Sequence, residues 1–123
     1  MGINTQKLNQ TLQEFVSSTS DIQGAALVTP DGLPLATTLP DRMDEERVAA
    51  MSASMLSLGE RIGKELARGD VGRLFVEGED GYGILTSCTE EALFLVLASH
   101  QAKQGVLMLE IKRILEDLRS SLS

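Results

Sequence analysis

The sequence is poor in aromatic rings, cysteine and histidine, and each shortage removes a class of function. Phe15, Phe75, Phe94 and Tyr82 are its only aromatic residues besides the single histidine, and there is no tryptophan. The core must therefore be built from Leu, Ile, Val, Met and Ala, and aromatic platforms for stacking nucleic-acid bases are missing. Cys88 is the sole cysteine, which excludes an intramolecular disulfide and suits a reducing compartment. His100 is the only histidine, so the chain offers no set of soft ligands for zinc. No apolar run approaches the roughly 20 residues of a membrane-spanning helix. The N-terminal stretch MGINTQKLNQ is polar, unlike a secretory signal. Gly2 is followed by Gln6 where N-myristoylation asks for Ser or Thr. The sequon Asn9-Gln10-Thr11 is read as coincidence, since secretion is not expected.

What is present fits one folded domain. A length of 123 residues supports a single core, read here as one domain over 1–123. Hydrophobic residues at 42% and charged residues at 24% exclude a disordered chain. The net charge of −7 argues against nucleic-acid binding, which draws its affinity from Lys and Arg on phosphates. A cytoplasmic domain that neither inserts into membranes nor binds nucleic acid is the expectation.

Residues 4–18 place Leu8, Leu12, Phe15 and Val16 on one side of a helix, with Asn4 or Thr5 as N-cap. IQGAALVT and LPLATTL flank Thr29-Pro30-Asp31-Gly32, a hairpin signal in which Pro pre-sets φ and Gly accepts a positive φ. The longest helical segment is expected over 41–68. It enters through Pro40-Asp41, carries Asp44, Glu45 and Glu46 in its first turns, and leaves at Arg68-Gly69. VGRLFVEG, YGILTSC and ALFLVLAS follow as a β-meander joined by Glu79-Asp80-Gly81 and Thr89-Glu90-Glu91. From about 102 to 121, Leu107, Ile111, Ile114, Leu115 and Leu118 mark a closing amphipathic helix. The fold class is α+β in the order α-β-β-α-β-β-β-α. A five-stranded antiparallel sheet lies between the long central helix and the terminal helices.

Catalytic chemistry finds little material. His100 has Ser87 and Ser99 near it as ordinary strand and strand-end residues, so a Ser/His/acid arrangement rests on one unsupported candidate. Cys88 is flanked by Thr89 and Glu90, and a neighbouring carboxylate would raise a thiol pKa, so a structural thiol is expected. The carboxylate pairs Glu79/Asp80 and Glu90/Glu91 fall in tight turns, where they keep hairpins from aggregating. Gly59-Glu60-Arg61-Ile62-Gly63-Lys64-Glu65 is one residue short of a phosphate-binding loop, has Glu65 for the required Ser or Thr, and follows no strand. No catalytic residue, cofactor site or metal site is assigned, and the chain is expected not to be an enzyme.

The long helix carries more information. At 100° per residue, Val48, Met51, Met55, Leu58, Ile62 and Leu66 form an apolar arc, with Ser52, Gly59 and Gly63 as a strip of small residues beside it. Each helix-interior glycine costs about 1 kcal/mol relative to Ala. A close contact, either with a partner or with the domain's own sheet, would offset that cost. Ala50, Ser54, Ser57, Arg61, Lys64 and Arg68 form the opposite face. Arg61, Lys64, Arg68 and Arg73 give residues 61–73 a charge of +2 and leave −9 on the remainder. These cations either complement a helix C-terminus or dock an acidic surface. In the strand 71–78, Gly72, Leu74 and Val76 alternate with Arg73, Phe75 and Glu77. As a sheet edge, this strand would set Arg73 within reach of Glu77 when paired with its own symmetry copy. A homodimer is therefore expected.

In these segments the chain resembles the roadblock domain, named for the roadblock dynein light chains, and particularly its bacterial and archaeal MglB-like branch. The resemblance is carried by GAALVTPDGLPLAT (24–37), ERVAAMSASMLSLGERIGKEL (46–66) and LFVEGEDGYGIL (74–85). It implies a homodimer with paired third strands and two long helices side by side, acting as a regulator or scaffold for Ras-like small GTPases. It implies a dimer interface at Met51, Met55, Leu58, Gly59, Ile62, Leu74, Phe75 and Val76. The GTPase-facing surface is implied at Ser54, Ser57, Arg61, Lys64 and Arg68. No cofactor belongs to the chain, since the GTPase would bring the nucleotide and Mg²⁺. The alternative is a passive structural adaptor in a larger assembly, with no effect on a nucleotide cycle. The long tails that some members carry are not expected in this chain, so no activity depending on such a tail is expected either.

Overall fold

The computed structural model describes residues 4–122, so the reading of Gly2 lies outside them. Its elements are α1 (Thr5–Ser17), β1 (Ile22–Val28), β2 (Pro34–Thr38), α2 (Glu45–Glu65), β3 (Arg73–Gly78), β4 (Gly81–Thr89), β5 (Ala92–Ser99) and α3 (Gln104–Leu122). The five strands form one antiparallel sheet in the order β2-β1-β5-β4-β3, so β2 and β3 are its edges. Two-residue turns at 79–80 and 90–91 join the last three strands, as their short connections predict. Gly32 adopts φ +91° in the turn between β1 and β2, a value a side chain would resist.

Strand alternation divides the core in two. Ala25, Leu27, Ile84, Phe94 and Val96 face α1 and α3, where they meet Leu8, Leu12, Leu107, Ile111 and Leu118. Ala26, Val28, Leu85, Leu93 and Leu95 face α2 and close around Ala49. The long helix thus covers one face and the terminal helices the other, as expected. With few aromatic rings to fill the first layer, Phe94 lies fully buried against Phe15, ring centroids 5.9 Å apart.

The central helix is shorter than the 41–68 read from sequence. Asp44 is its N-cap, accepting from the backbone N–H groups of Glu46 and Arg47, and Pro40 to Met43 form a separate turn before it. At the far end Arg68 N donates to Gly63 O (2.7 Å) and Ala67 N to Lys64 O (3.0 Å). This Schellman arrangement places Ala67 at φ +56°, where glycine is usual. Arg68 accordingly lies beyond the helix, and its Nε donates to Leu66 O. Its expected place on the helical face is corrected on this ground.

The two sheet edges differ. β2 begins with Pro34, which has no N–H, and α1 runs alongside it with Asn9 Oδ1 accepting from Thr37 N at 3.3 Å. Asn9, read as a chance sequon, has this structural use. β3 has no such cover, and all its residues but Leu74 are exposed.

Candidate functional site

The flank where α2 meets β3 is built by glycine. A Cβ on Gly59 would stand 2.7 Å from both methyl carbons of Leu74, and one on Gly63 would stand 2.6 Å from Val71 Cγ2. The absent side chains let the helix lie low over the edge of its own sheet. The small-residue strip therefore packs inside the chain, and of the two contacts open from sequence the structure shows the domestic one. Gly59 is buried by Leu74, so it offers no surface to a second chain. This corrects its expected place among interface residues.

Because Ala49, Ser52, Gly59 and Gly63 supply the buried side of α2, Met51, Leu58 and Ile62 are rotated outward, whereas Val48, Met55 and Leu56 are half-buried against the core. Met51 is 63% exposed, Leu58 56% and Ile62 49%, while Met55 is half-buried against the sheet. On β3, Leu74 is half-buried, Phe75 is 43% exposed and Val76 52%. Leu74 and Val76 share the α2 side of the sheet. Phe75 points to the other side, edge-on to the Tyr82 ring at 6.3 Å. One flank of the molecule thus joins an exposed apolar helical stripe to an edge strand whose outer side is open and carries Phe75 and Val76 exposed, a combination suited to an interaction surface.

The outward face of the same helix presents Ser54, Ser57, Arg61 and Lys64, all exposed. Ala50, Ser54, Ser57 and Arg61 line a shallow groove whose other wall is Pro30 and Asp31 of the β1–β2 turn. The contribution of that turn was not read from sequence, since Pro30 and Asp31 looked fully employed in reversing the chain. Arg68 is exposed near the groove's helix but outside its helical face.

The chemistry-bearing side chains remain apart. Cys88 is buried, and burial pushes its thiol pKa up, outweighing the Arg119 guanidinium, which pulls it down. Desolvation, not the carboxylate expected from sequence, causes the rise. His100 is exposed beyond β5, its ring parallel to Tyr82 at 6.2 Å. Ser99 Oγ donates to Asp21, not to His100. Among the described residues no cluster of His, Cys, Asp and Glu could hold a metal ion, and no helix is long and apolar enough to cross a membrane.

This element order, with a long helix over a sheet whose last meander ends in an open edge, defines the roadblock class of α+β domains. The chain belongs to the Roadblock/LC7 domain family, whose sequence profile matches residues 8–98. It is 29% identical over 105 residues to the protein MJ1340 of Methanocaldococcus jannaschii, covering 85% of this chain and 91% of that protein. A Roadblock/LC7 domain from Streptomyces avermitilis superposes with a TM-score of 0.84 at 23% identity, over 93% of this chain and 96% of that one. Myxococcus xanthus MglB superposes with a TM-score of 0.86 at 16% identity, over 98% of this chain and 90% of that one. At these identities the two structures speak for the fold.

Proposed function

We propose that the protein is a non-enzymatic regulatory homodimer that binds and modulates a Ras-like small GTPase in the cytoplasm. The observation that carries this reading is the exposed flank formed by the stripe Met51, Leu58 and Ile62 and the uncovered edge β3. One edge of the sheet is blunted by Pro34, Asn9 and α1, whereas the other is left open.

The open edge is self-complementary. Antiparallel pairing of β3 with a second copy about a two-fold axis at Phe75 sets Leu74 opposite Val76 on one face. On the other face it sets Arg73 opposite Glu77, twice. The same operation brings the two α2 stripes together, covering Met51, Met55, Leu58 and Ile62. The outward faces then form one continuous surface with two copies of Ser54, Ser57, Arg61 and Lys64, and with Arg68 at its margin. Short hydroxyls in the middle admit a partner backbone closely, and the cations at the rim complement an acidic partner surface.

The bound GTPase supplies nucleotide and Mg²⁺. Arg61 lies on the body of a helix, without the reach of a loop-borne arginine, so the dimer acts by repositioning the GTPase's own catalytic groups. The test mixes the protein with a Ras-like GTPase of the same organism and measures turnover. Arg61→Ala should leave turnover within about tenfold when binding is intact, because a trans-acting arginine contributes roughly 10³-fold or more. A larger loss with intact binding would overturn the repositioning step. Binding that ignores the loaded nucleotide would make the protein a passive adaptor.

A further inference from the structure

A second surface lies on the opposite side of the sheet from α2. Arg73 of β3 and Met108, Leu109, Lys112, Leu115 and Arg119 of α3 line a groove between the helix and the open edge. Its floor is apolar: Leu115 is buried, Met108 half-buried, and Leu109 is 56% exposed with no cover. Its three charged residues are all cations, in a chain with 18 acidic and 11 basic side chains. Arg119 is held in place by its Nε donating to Cys88 O at 2.7 Å, which leaves its terminal nitrogens free for another acceptor.

We propose that this groove binds an acidic amphipathic helix of a partner protein. An apolar floor walled by a strand and a helix accepts the hydrophobic stripe of a third helix, and carboxylates flanking that stripe meet Lys112, Arg119 and Arg73. A net charge of −7 on the protein as a whole opposes an anionic membrane or a nucleic acid. A concave site recessed beside α3 also favours an inserted helix over a flat bilayer. Arg73, with five donors, can meet Glu77 of a second copy and still line the groove. All six lining residues come from one chain. A protein found to be monomeric would therefore overturn the strand-pairing reading and leave this one standing.

The probe is a fluorescent synthetic peptide of about four helical turns, with Leu on one face and Glu on its flanks. Its affinity is read by anisotropy at low salt, and its location by amide chemical shifts. The peptide should shift the signals of Leu109 and Lys112, and its binding should weaken as salt rises. Lys112→Glu and Leu109→Asp, both at exposed positions, should each cut affinity about tenfold, with the oligomeric state unchanged by light scattering. A peptide with Lys for Glu should not bind. Equal binding of that basic peptide, or shifts confined to α2, would overturn the proposal. So would unaltered affinity in both variants, or a preference for phosphatidylserine vesicles over the peptide.

Discussion

Truncating one exposed leucine of α2 should weaken the dimer far more than the fold. Leu58 is 56% exposed in the single chain. Complete burial of a leucine side chain is worth roughly 1.5–3 kcal/mol, so covering the exposed half contributes about 1 kcal/mol per copy. A two-fold axis counts that loss twice. Leu58→Ala is therefore expected to cost the dimer about 2 kcal/mol, which raises its dissociation constant roughly thirtyfold. The separate chain loses only the contacts Leu58 makes at home, at most about 1 kcal/mol. Sedimentation equilibrium across a dilution series reads the first effect, and urea unfolding of the dissociated protein reads the second. Ser57→Ala, one residue away on the outward face, should leave the dissociation constant unchanged. A dissociation constant for Leu58→Ala equal to that of the wild type would remove Leu58 from the dimer seam, and a wild type that is monomeric at micromolar concentration would remove the seam itself.

Four further substitutions probe the long helix and the buried thiol. Ala67→Gly should stabilise the fold by about 1 kcal/mol, since Ala67 holds φ +56° at the Schellman position where glycine is unstrained; a lower thermal midpoint would contradict this. Gly63→Ala should destabilise by about 1–2 kcal/mol, because the overpacking against Val71 Cγ2 and Gly69 O outweighs the helix-propensity gain. At Gly59 the obstacle is the movable end of Leu74, so Gly59→Ala should cost less, and equal losses at the two sites would count against the packing described. Burial raises the Cys88 pKa from its ordinary 9.0, so its contribution to stability is fully present below that value and is lost as pH rises through the higher folded value. Cys88→Ala should flatten the decline in stability above pH 9.0, and a decline as steep as the wild type's would remove the thiol as its source.

Most of the architecture is legible because periodicity and turn chemistry agree from end to end. Leu107, Ile111, Ile114, Leu115 and Leu118 announce α3 by their spacing, and all five are buried. The ends of α2 are less legible. Asp41 and Asp44 are both acceptable caps, and only the donated N–H groups of Glu46 and Arg47 distinguish them. At the other end, an alanine stands where glycine would have signalled the stop, so the helix reads on to Arg68. The interaction flank was visible as residue types, but its orientation was not. Gly59 and Gly63 lie beside the apolar arc on a helical wheel, and either group could have met the sheet. The close approach of Leu74 and Val71, from elements that follow in sequence, decides that the small residues face inward and the large ones outward. The groove on the α3 side was hidden because Arg73 and Lys112 come from distant parts of the chain and meet only through the sheet order.

The proposed GTPase partnership is tested most directly by titrating the protein into a Ras-like GTPase of the same organism, loaded in turn with GDP and with a non-hydrolysable GTP analogue. A complex is expected that favours one nucleotide state and is weakened about tenfold or more by Arg61→Glu, a substitution on the exposed face of α2 outside the expected dimer seam. The absence of a complex in both states, or a complex indifferent to Arg61→Glu, would contradict that partnership.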